Sequence, residues 1–487
     1  MAFQHGVRVQ EQPTSIMAPI LGTAGLQVVF GTAPVNLADD PYSVTNTPVI
    51  TYSWTEAVKK LGYSADWKNY TLCQSMYASF QLIGVAPVIF VNVLDPKNHK
   101  KRNEVETVDV EELSATVKIP GILQDTVTVS IPGESEDTPL GFETDYLLGF
   151  DDDGYLVVTL TATGAGATAT SLKVESTSID PTAVKATDVI GVSATGGEKG
   201  FEVLRQIYPK LGMTPGLILA PGWSHIPDVG IVMAAKCEEI NGYFTCEGFI
   251  DIDSDPKTGC NSYDKVKQFK EAAGCTSKHI MALWPCVTAG STWFWYSAVM
   301  AALTAYIDAN NDDVPNLSPS NKLIGITGTV LADGETEVVL DQLQGNAVNS
   351  FGVSTAINVN GWRTWGNRSA CYPAISDPKD MWFCCRRFFS WWGNSFILTY
   401  FQKVDEPANR RLIETIVDTE NIRGASYVAD GKCARAEIEF IESENPLTNL
   451  IDGKLRFHQY LTPYPPAEDI LNVLEFDPNA LTSALSS

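Results

Sequence analysis

Few residues in this sequence have the type and spacing that chemistry requires. Histidine occurs at five scattered positions without metal-ligand spacing: His5, His99, His225, His279 and His458. Ser224 beside His225 pairs a nucleophile with a base, but the run Gly222–Ile226 lacks the closing glycine of a nucleophile elbow. A helix-capping serine next to a polar histidine is the favoured interpretation. An α/β hydrolase-like enzyme using Ser224 and His225 is kept as an alternative.

Motifs for cations and phosphates are also incomplete. The alternating aspartates of Asp251–Asp255 begin like a calcium loop, but Pro256 stands where the loop needs glycine and Ser262 where it needs glutamate. Gly164 and Gly166 are not followed by the third glycine of a dinucleotide fingerprint, and no Gly-Lys-Ser/Thr phosphate loop occurs. We therefore expect a strand end and a turn at the aspartates, no cofactor, no metal and no catalytic residue.

The cysteines indicate structural thiols. None of the ten forms a Cys-x-x-Cys pair, which a zinc knuckle or a redox pair would need. The start of the chain, Met1–His5, has no feature of a signal peptide, and 487 residues can form a core without disulfides. We expect buried, reduced cysteines in a protein that is made in a cytoplasm.

The overall charge excludes several kinds of partner. The chain has 34 Lys and Arg residues against 58 Asp and Glu, and its net charge is −24. A surface this acidic is poorly suited to hold a nucleic-acid backbone or an anionic membrane over a broad area. We expect no nucleic-acid partner and no direct membrane insertion.

One uncharged stretch is long enough to be considered as a membrane span. No charged residue occurs from Ile280 to Ile307. Pro285 and Gly290 interrupt the stretch, and either Ser291 or Thr292 could cap a helix. The pattern predicts a short core strand at its start and a core helix that ends near Ile307.

A change of composition marks an inserted domain. Residues 101–200 include 18 acidic and 6 basic residues and none of the cysteines or tryptophans. Alternating β-branched segments occur at Thr126–Ile131 and Leu156–Thr161, with glycine-rich turns around them. This pattern predicts a self-contained, surface-exposed β domain that is inserted into another domain.

The flanking segments predict a domain built on a largely parallel sheet. Gln27–Thr32, Val88–Val93 and Leu217–Ala220 are nearly continuous apolar runs, which is typical of strands buried on both faces. The helical patterns that separate them lie at Thr55–Leu61, Thr71–Leu82, Asp228–Ile240 and Tyr263–Ala273. The alternation of strand and helix favours an α/β architecture.

After about residue 360 the pattern changes to a smaller α+β unit. Helices are predicted at Asp380–Val404 and Pro407–Glu420, and strands at Ala434–Ile441 and Gly453–Leu461. Residues 363–435 include 11 basic and 8 acidic residues, so this unit is mildly positive while the rest of the chain is negative.

The predicted fold class is therefore a multidomain α/β (α+β) chain with extended arms at both ends. The predicted parts are an amino-terminal arm (1–20), a discontinuous α/β domain (21–99 and 201–359), an inserted all-β domain (100–200), a carboxy-terminal α+β domain (360–468) and a carboxy-terminal arm (469–487).

Taken in order, these segments resemble the contractile tail sheath proteins of phages, tailocins and related injection systems. The segments similar to that family are Gly6–Glu11, Gly25–Pro34, Pro48–Gly62, Tyr77–Phe80, Val88–Val93, Gly361–Ser369, Asp405–Asn409 and Pro465–Ile470. Together they extend over almost the whole chain outside 100–200, the region where sheath proteins of this family carry variable outer domains.

The resemblance implies a structural subunit and not an enzyme. Sheath subunits of this family stack as hexameric rings around an inner tube and contract to drive the tube through a target envelope. The implied partners are copies of the chain itself, the inner tail tube protein, and baseplate and tail terminator proteins. The implied location is the virion tail, after assembly in the cytoplasm of a bacterial host.

The resemblance also implies that the two arms add strands to sheets of neighbouring subunits. Residues 5–12 and 469–476 alternate apolar and polar side chains and have no partner strand nearby in sequence, which suits strand addition at a sheet edge. The residues expected to act in this exchange are Gly6, Val7, Arg8, Val9, Glu11, Glu468, Ile470, Val473 and Leu474.

The mildly basic carboxy-terminal domain is expected to face the tube. Its candidate contact residues are Arg386, Arg387, Arg410 and Arg411, which could bind an acidic tube through weak, salt-sensitive contacts. For any one of them, an ion pair within the subunit or a contact between sheath subunits is the alternative. A second alternative function is a surface-layer or adhesin subunit that presents the β insert.

Overall fold

The computed structural model describes residues 23–194 and 197–485. The chain has the mixed helix and sheet architecture that the sequence predicts. The predicted amino-terminal arm, with Gly6, Val7, Arg8, Val9 and Glu11, lies outside the described residues.

The first part of the chain contributes three strands to the central sheet and two helices that pack against it. They are β1 (Gln27–Gly31), β2 (Val49–Thr51), α1 (Trp54–Leu61), α2 (Leu72–Tyr77), which continues into a π-helical turn at Ala78–Ile83, and β3 (Val88–Asn92). Every residue of β1 and β3 is buried, as their apolar runs predict. Ser53 begins α1 by accepting a hydrogen bond from the Glu56 amide, and Gly62 ends it with a positive φ of 73°.

The segment between residues 100 and 200 consists mainly of short strands. They are β4 (Lys100–Arg102), β5 (Glu106–Asp109), β6 (Ser114–Val117), β7 (Thr128–Ile131), β8 (Thr138–Pro139), β9 (Tyr146–Phe150), β10 (Leu156–Leu160), β11 (Ser171–Glu175), β12 (Thr177–Ile179), helix α3 (Ala186–Ile190), β13 (Ser193–Ala194) and β14 (Gly197–Glu198). Two antiparallel sheets, β6-β10-β9 and β5-β11-β7-β8, enclose a hydrophobic cluster separate from the main core. The antiparallel pair of β4 and β12 lies where the chain enters and leaves this segment.

The next part completes the central sheet. Its elements are α4 (Leu204–Leu211), β15 (Leu217–Leu219), α5 (Pro227–Glu238), β16 (Glu247–Asp251), α6 (Val266–Ala272), β17 (Ile280–Leu283), β18 (Cys286–Ala289), β19 (Thr292–Phe294), α7 (Tyr296–Ala309), β20 (Gly328–Val330), α8 (Gln342–Ser350), β21 (Val353–Asn358) and β22 (Trp362–Trp365). The sheet has the strand order β2-β3-β1-β15-β16-β17-β21-β22. Its six inner strands are parallel, and β2 and β22 are antiparallel edge strands.

The uncharged stretch forms core structure, but its predicted helix start was wrong. Thr292 lies in β19, which pairs with β18, and the helix α7 begins only at Tyr296. The cap comes from another strand, because the Asp251 carboxylate at the end of β16 accepts a hydrogen bond from the Ser297 amide at 2.9 Å. Within the described residues, no helix combines the length and apolar character needed to cross a membrane.

The carboxy-terminal part contains two long helices and a strand pair. Its elements are α9 (Pro378–Met381), α10 (Phe383–Tyr400), α11 (Arg410–Ala429), β23 (Cys433–Glu439), α12 (Leu447–Ile451), β24 (His458–Pro463) and α13 (Pro478–Leu485). The predicted helix at 380–404 is broken at Trp382, whose backbone is extended. The next helix starts later than predicted, because Asn409 caps it by accepting a hydrogen bond from the Leu412 amide. The predicted strand from residue 453 starts only at His458, since α12 and its closing turn occupy 447–453.

Candidate assembly interface

The chain beyond β24 leaves the body of the subunit as an exposed apolar segment. Ile470, Val473 and Leu474 have 85%, 78% and 88% of their surface exposed, and Phe476 has 76%. Residues 469–476 have no regular secondary structure and, among the residues that the structure describes, no hydrogen bond to the body. Large apolar side chains exposed in one continuous run indicate a surface that is covered by a partner.

Glu468, which was predicted to act in the exchange, forms an ion pair within its own chain. Its carboxylate is bound by Arg368 of the same chain, with the Arg368 Nε at 3.1 Å from Oε1 and a second hydrogen bond from Nη2 to Oε2. Glu468 is therefore bonded to the body immediately before the exposed apolar segment begins.

The pair of strands β23 and β24 forms a two-stranded antiparallel sheet, and helix α11 covers the outer edge of β23. The Asn421 side chain of α11 accepts a hydrogen bond from the Ile438 amide at 2.8 Å and donates one to the Ile438 carbonyl at 3.1 Å. Gly424 of the same helix lies so close that an added β-carbon would collide with the carbonyl oxygen of Ala436. The backbone groups of Ile438 and Ala436 thus point away from β24 and towards α11.

The outer edge of β24 is free among the described residues. Gln459 lies opposite Ile438 and Leu461 opposite Ala436 in the antiparallel register. Residues directly opposite each other in an antiparallel pair direct their backbone groups either both between the strands or both away from them. Since those of Ile438 and Ala436 point away from β24, the backbone groups of Gln459 and Leu461 point away from β23. No third described strand bonds to them, so this edge can accept another strand.

An apolar groove lies beside the same edge. It has a volume of about 490 Å³ and lies between α10 and the strand pair, with the lining side chains Phe389, Trp392, Phe396, Ile438, Leu455, Phe457 and Leu461 among others. Gln459 and Leu461 belong both to the groove and to the free edge. A strand added to β24 could therefore place alternate side chains in an apolar environment.

The predicted tube-facing arginines do not form one surface. Arg387 was predicted wrongly, because its side chain is 1% exposed and forms a buried ion pair with Asp308. Arg386 is also largely enclosed, with a 12% exposed side chain that donates to the Asp380 carboxylate at 3.0 Å. Arg410 and Arg411 are exposed at the start of α11, where Arg410 pairs with Glu414 in the same helix at 2.7 Å.

Ser224 and His225 are not arranged as a nucleophile and its base. The Ser224 hydroxyl is buried and contacts Asp251, accepting a hydrogen bond from the Asp251 amide at 3.1 Å and lying 3.2 Å from Oδ2. His225 stacks on Trp295, with 4.6 Å between the ring centroids. Burial raises the pKa of the Asp251 carboxyl to about 6, while its hydrogen bonds from Ser297 and Ser224 oppose that rise. This carboxyl joins β16 to the start of α7.

The remaining candidates for chemistry are also structural. The Asp253 and Asp255 side chains accept backbone hydrogen bonds within a turn, as predicted for the incomplete calcium loop. All ten cysteines are buried free thiols. Across residues 23–194 and 197–485, no cluster of three or more histidine, cysteine, aspartate or glutamate side chains could hold a metal ion.

Comparisons with known proteins address the family resemblance. No protein-family model matches the chain. The tail sheath protein of Burkholderia phage BcepMu is 26% identical over 495 aligned positions, which cover 96% of this chain and 95% of that protein. The tail sheath protein of Escherichia phage P2 is 24% identical over 292 positions, covering 58% of this chain and 69% of that protein. The predicted resemblance to phage tail sheath proteins is confirmed.

Solved structures extend the sheath resemblance to the fold. The PVC sheath complex of an extracellular contractile injection system, in its contracted state, has a TM-score of 0.58 at 14% identity and covers 99% of both chains. The helical sheath of the anti-feeding prophage, also contracted, has a TM-score of 0.57 at 13% identity and covers 98% of this chain and 100% of that one. At such low identities the likeness concerns the fold alone.

These comparisons favour a structural sheath subunit over the enzyme alternative. The relatives are structural tail sheath proteins and not enzymes. Sequence reasoning missed Arg368, which binds Glu468, and Asn421 and Gly424, which lie against the covered edge of β23. Arg368 lies in the segment Gly361–Ser369, which carries part of the resemblance, and this was the one signal that could have drawn attention to it.

Proposed function

We propose that this chain is a subunit of a contractile tail sheath that polymerises as stacked hexameric rings around an inner tube. Contraction of the sheath would drive the tube through the envelope of a target cell. The observation that carries the proposal is the similarity to a phage tail sheath protein over 96% of the chain. The same similarity supports a place in the tail of a virion or related particle. Assembly in the cytoplasm of the bacterial host is a further part of the proposal.

The proposal includes the domain division made from the sequence. The central sheet belongs to a discontinuous domain of 21–99 and 201–359, and the β insert of 100–200 forms the outer domain. The domain of 360–468 faces inward, and the arms are 1–20 and 469–487. The separate hydrophobic cluster of the insert supports its treatment as a unit.

We propose that subunits are linked when the carboxy-terminal arm of one adds to the free edge of β24 in another. Ile470, Val473 and Leu474 lie in the segment that would form the added strand. The outward backbone groups of Gln459 and Leu461 would pair with it, and the apolar groove would take its alternate side chains. The amino-terminal arm, from Gly6 to Glu11, is proposed to exchange in the same way.

The energetics of this exchange favour a cooperative lattice over a stable isolated pair. Ordering the seven residues 470–476 costs about 1–2 kcal/mol each in backbone entropy, or about 7–14 kcal/mol in all. In a strand, Ile470, Leu474 and Phe476 lie on one face, and burying these three side chains in the groove returns about 1.5–3 kcal/mol each, or about 5–9 kcal/mol. Because this gain is similar to or smaller than the ordering cost, one exchanged arm is marginal at best, and many arms acting together stabilise a sheath. Backbone pairing also tolerates the rigid-body rearrangement that contraction requires.

The proposed contact with the inner tail tube uses the exposed arginines Arg410 and Arg411. Their position at the start of α11 leaves both side chains at the surface, so an acidic tube could bind them in a salt-sensitive way. Arg386 is a weaker candidate, since Asp380 already binds it. Baseplate and tail terminator proteins are proposed as the partners at the two ends of the sheath.

Electron microscopy of the purified full-length chain tests the proposal. The wild-type chain should form long hollow tubes or stacked rings. A truncation that removes residues 470–487 should remain a folded monomer, while the control that removes only 477–487 keeps the proposed strand and should still form tubes. Tubes from the longer truncation would refute arm exchange at this end. Flat two-dimensional arrays from the wild type would favour the surface-layer alternative, and a small discrete oligomer would overturn the sheath proposal.

A further inference from the structure

The segment between β22 and α9 holds Arg368 rigidly against the body. The residues on either side of Arg368 pair with those on either side of Trp382. The Phe383 amide donates to the Asn367 carbonyl at 3.0 Å, and the Ser369 amide donates to the Met381 carbonyl at 2.9 Å. The backbone of Arg368 is therefore fixed at the point where the central sheet meets the start of α10.

The Arg368 guanidinium is also held in one orientation. It lies over the Tyr372 ring at 4.3 Å and over the Trp382 ring at 3.8 Å, measured to the ring centroids. Its Nη1 lies 3.0 Å from the Met381 sulfur, and only 12% of the side chain is exposed. A guanidinium stacked in this way presents its remaining edge as a fork that fits one carboxylate.

The carboxylate in that fork is Glu468 at the start of the carboxy-terminal arm. It accepts two hydrogen bonds, from Nε and Nη2 of Arg368. Residues 469–476, which follow it, have no hydrogen bond to the described part of the body. Glu468 is therefore the last residue bonded to the body before the free segment 469–476, and it marks where the tether of the arm begins.

We propose that Arg368 is a positioning residue for sheath assembly, which grips Glu468 and so fixes where and in which direction the exchanging arm leaves the subunit. This inference rests on the proposed function. Without the grip, the free tether would begin near the end of β24 at Pro463 instead of at Glu468, five residues earlier. A longer tether spreads the arm over a larger volume, which lowers its effective concentration at the neighbouring edge and adds residues that must be ordered. The same grip would transmit tension from the arm to the junction of the central sheet with α10.

The test uses the full-length chain with Glu468→Gln, and Asp469→Asn as the matched control. The control removes the neighbouring carboxylate, for which the structure shows no ion pair in residues 23–194 and 197–485. A nitroxide attached after the substitution Asn472→Cys reports the mobility of the arm below the assembly concentration, and the ten native cysteines are buried. The second readout is the lowest protein concentration at which tubes form.

Glu468→Gln should increase the mobility of the nitroxide and raise the concentration needed for tubes about tenfold, because a longer tether lowers the effective concentration of the arm at the neighbouring edge. The melting temperature should not change, since Glu468 is 43% exposed. Asp469→Asn should match the wild type in both readouts, and the charge exchange Arg368→Glu with Glu468→Arg should recover part of the assembly lost by either single change.

The inference is overturned if Glu468→Gln and Asp469→Asn have equal arm mobility, or if tubes of Glu468→Gln form at the wild-type concentration. A wild-type chain that never forms tubes would instead overturn the proposed function. The mobility measurement would then still decide whether Arg368 holds the root of the arm, so the two failures are distinguishable.

Discussion

The ion pair between Arg387 and Asp308 makes the most demanding prediction about stability. Both side chains are 1% exposed, and Nη1 of Arg387 donates to Oδ1 of Asp308 at 3.1 Å while Nη2 donates to Oδ2. Nη2 also donates to the Ala24 carbonyl at 3.1 Å. The pair therefore ties α10 and α7 to the segment that leads into β1.

Replacing only one partner should be far more costly than replacing both. Arg387→Met leaves the Asp308 carboxylate buried without its partner, and a single truncation of a buried pair costs about 3–5 kcal/mol. Adding Asp308→Leu removes the unpaired charge and substitutes an apolar contact, so the double variant should recover to within about 1 kcal/mol of the wild type. Urea titrations followed by tryptophan fluorescence measure the free energy of unfolding for the wild type and both variants.

The cost of Arg387→Met should also depend on pH. Burial raises the pKa of the Asp308 carboxyl, and Arg387 opposes that rise while Asp313 and Glu247 add to it. Without Arg387 the pKa rises further, and the folded protein binds a proton more readily than the unfolded chain does. Its stability then increases as the pH falls. The loss should therefore be smaller at pH 5 than at pH 8. Equal losses for the single and double variants, or a larger loss at pH 5, would refute this reasoning.

Two further predictions concern the core and the packing behind the free edge. Burial raises the pKa of Asp251 to about 6, so the folded state gains a proton between about pH 7 and pH 4 before the unfolded chain does. Asp251→Asn keeps an acceptor for the Ser297 amide but should lack the resulting stabilisation of about 2 kcal/mol, which acid and neutral urea titrations of both proteins would detect. Gly424→Ala should destabilise the fold by about 1–3 kcal/mol, because its β-carbon meets the Ala436 carbonyl. Gly393→Ala, where a β-carbon meets open space, should be neutral or slightly stabilising, and thermal melts of the two variants and the wild type measure both effects.

Several elements could be predicted from the sequence because local pattern decides them. The apolar runs of β1, β3 and β15 can be buried only in a sheet covered on both faces, and the structure has them as parallel inner strands. The apolar character of Ile470, Val473 and Leu474, which the structure has as exposed side chains, can also be read from a few residues of sequence. In both cases the information lies within a short window of residues.

The errors came from residues whose role depends on distant parts of the chain. A basic pair at 386–387 on a helix looks the same in sequence whether it faces solvent or a buried aspartate, and Arg387 meets Asp308 79 positions away. The start of α7 was misplaced because its cap, Asp251, comes from another strand 46 residues earlier. The partner of Glu468 could not be identified from sequence either, since Arg368 lies 100 residues before it.

The sequence by itself determined the class of elements, the acidic composition of residues 101–200 and the apolar character of 470–476, because periodicity and composition act over a few residues at a time. Only the tertiary structure decided which strand edge is unpaired among the described residues, which arginines are buried and which residue binds Glu468. Those properties depend on contacts between segments that are far apart in the chain, and chain folding alone brings Asn421 to Ile438 and Arg368 to Glu468.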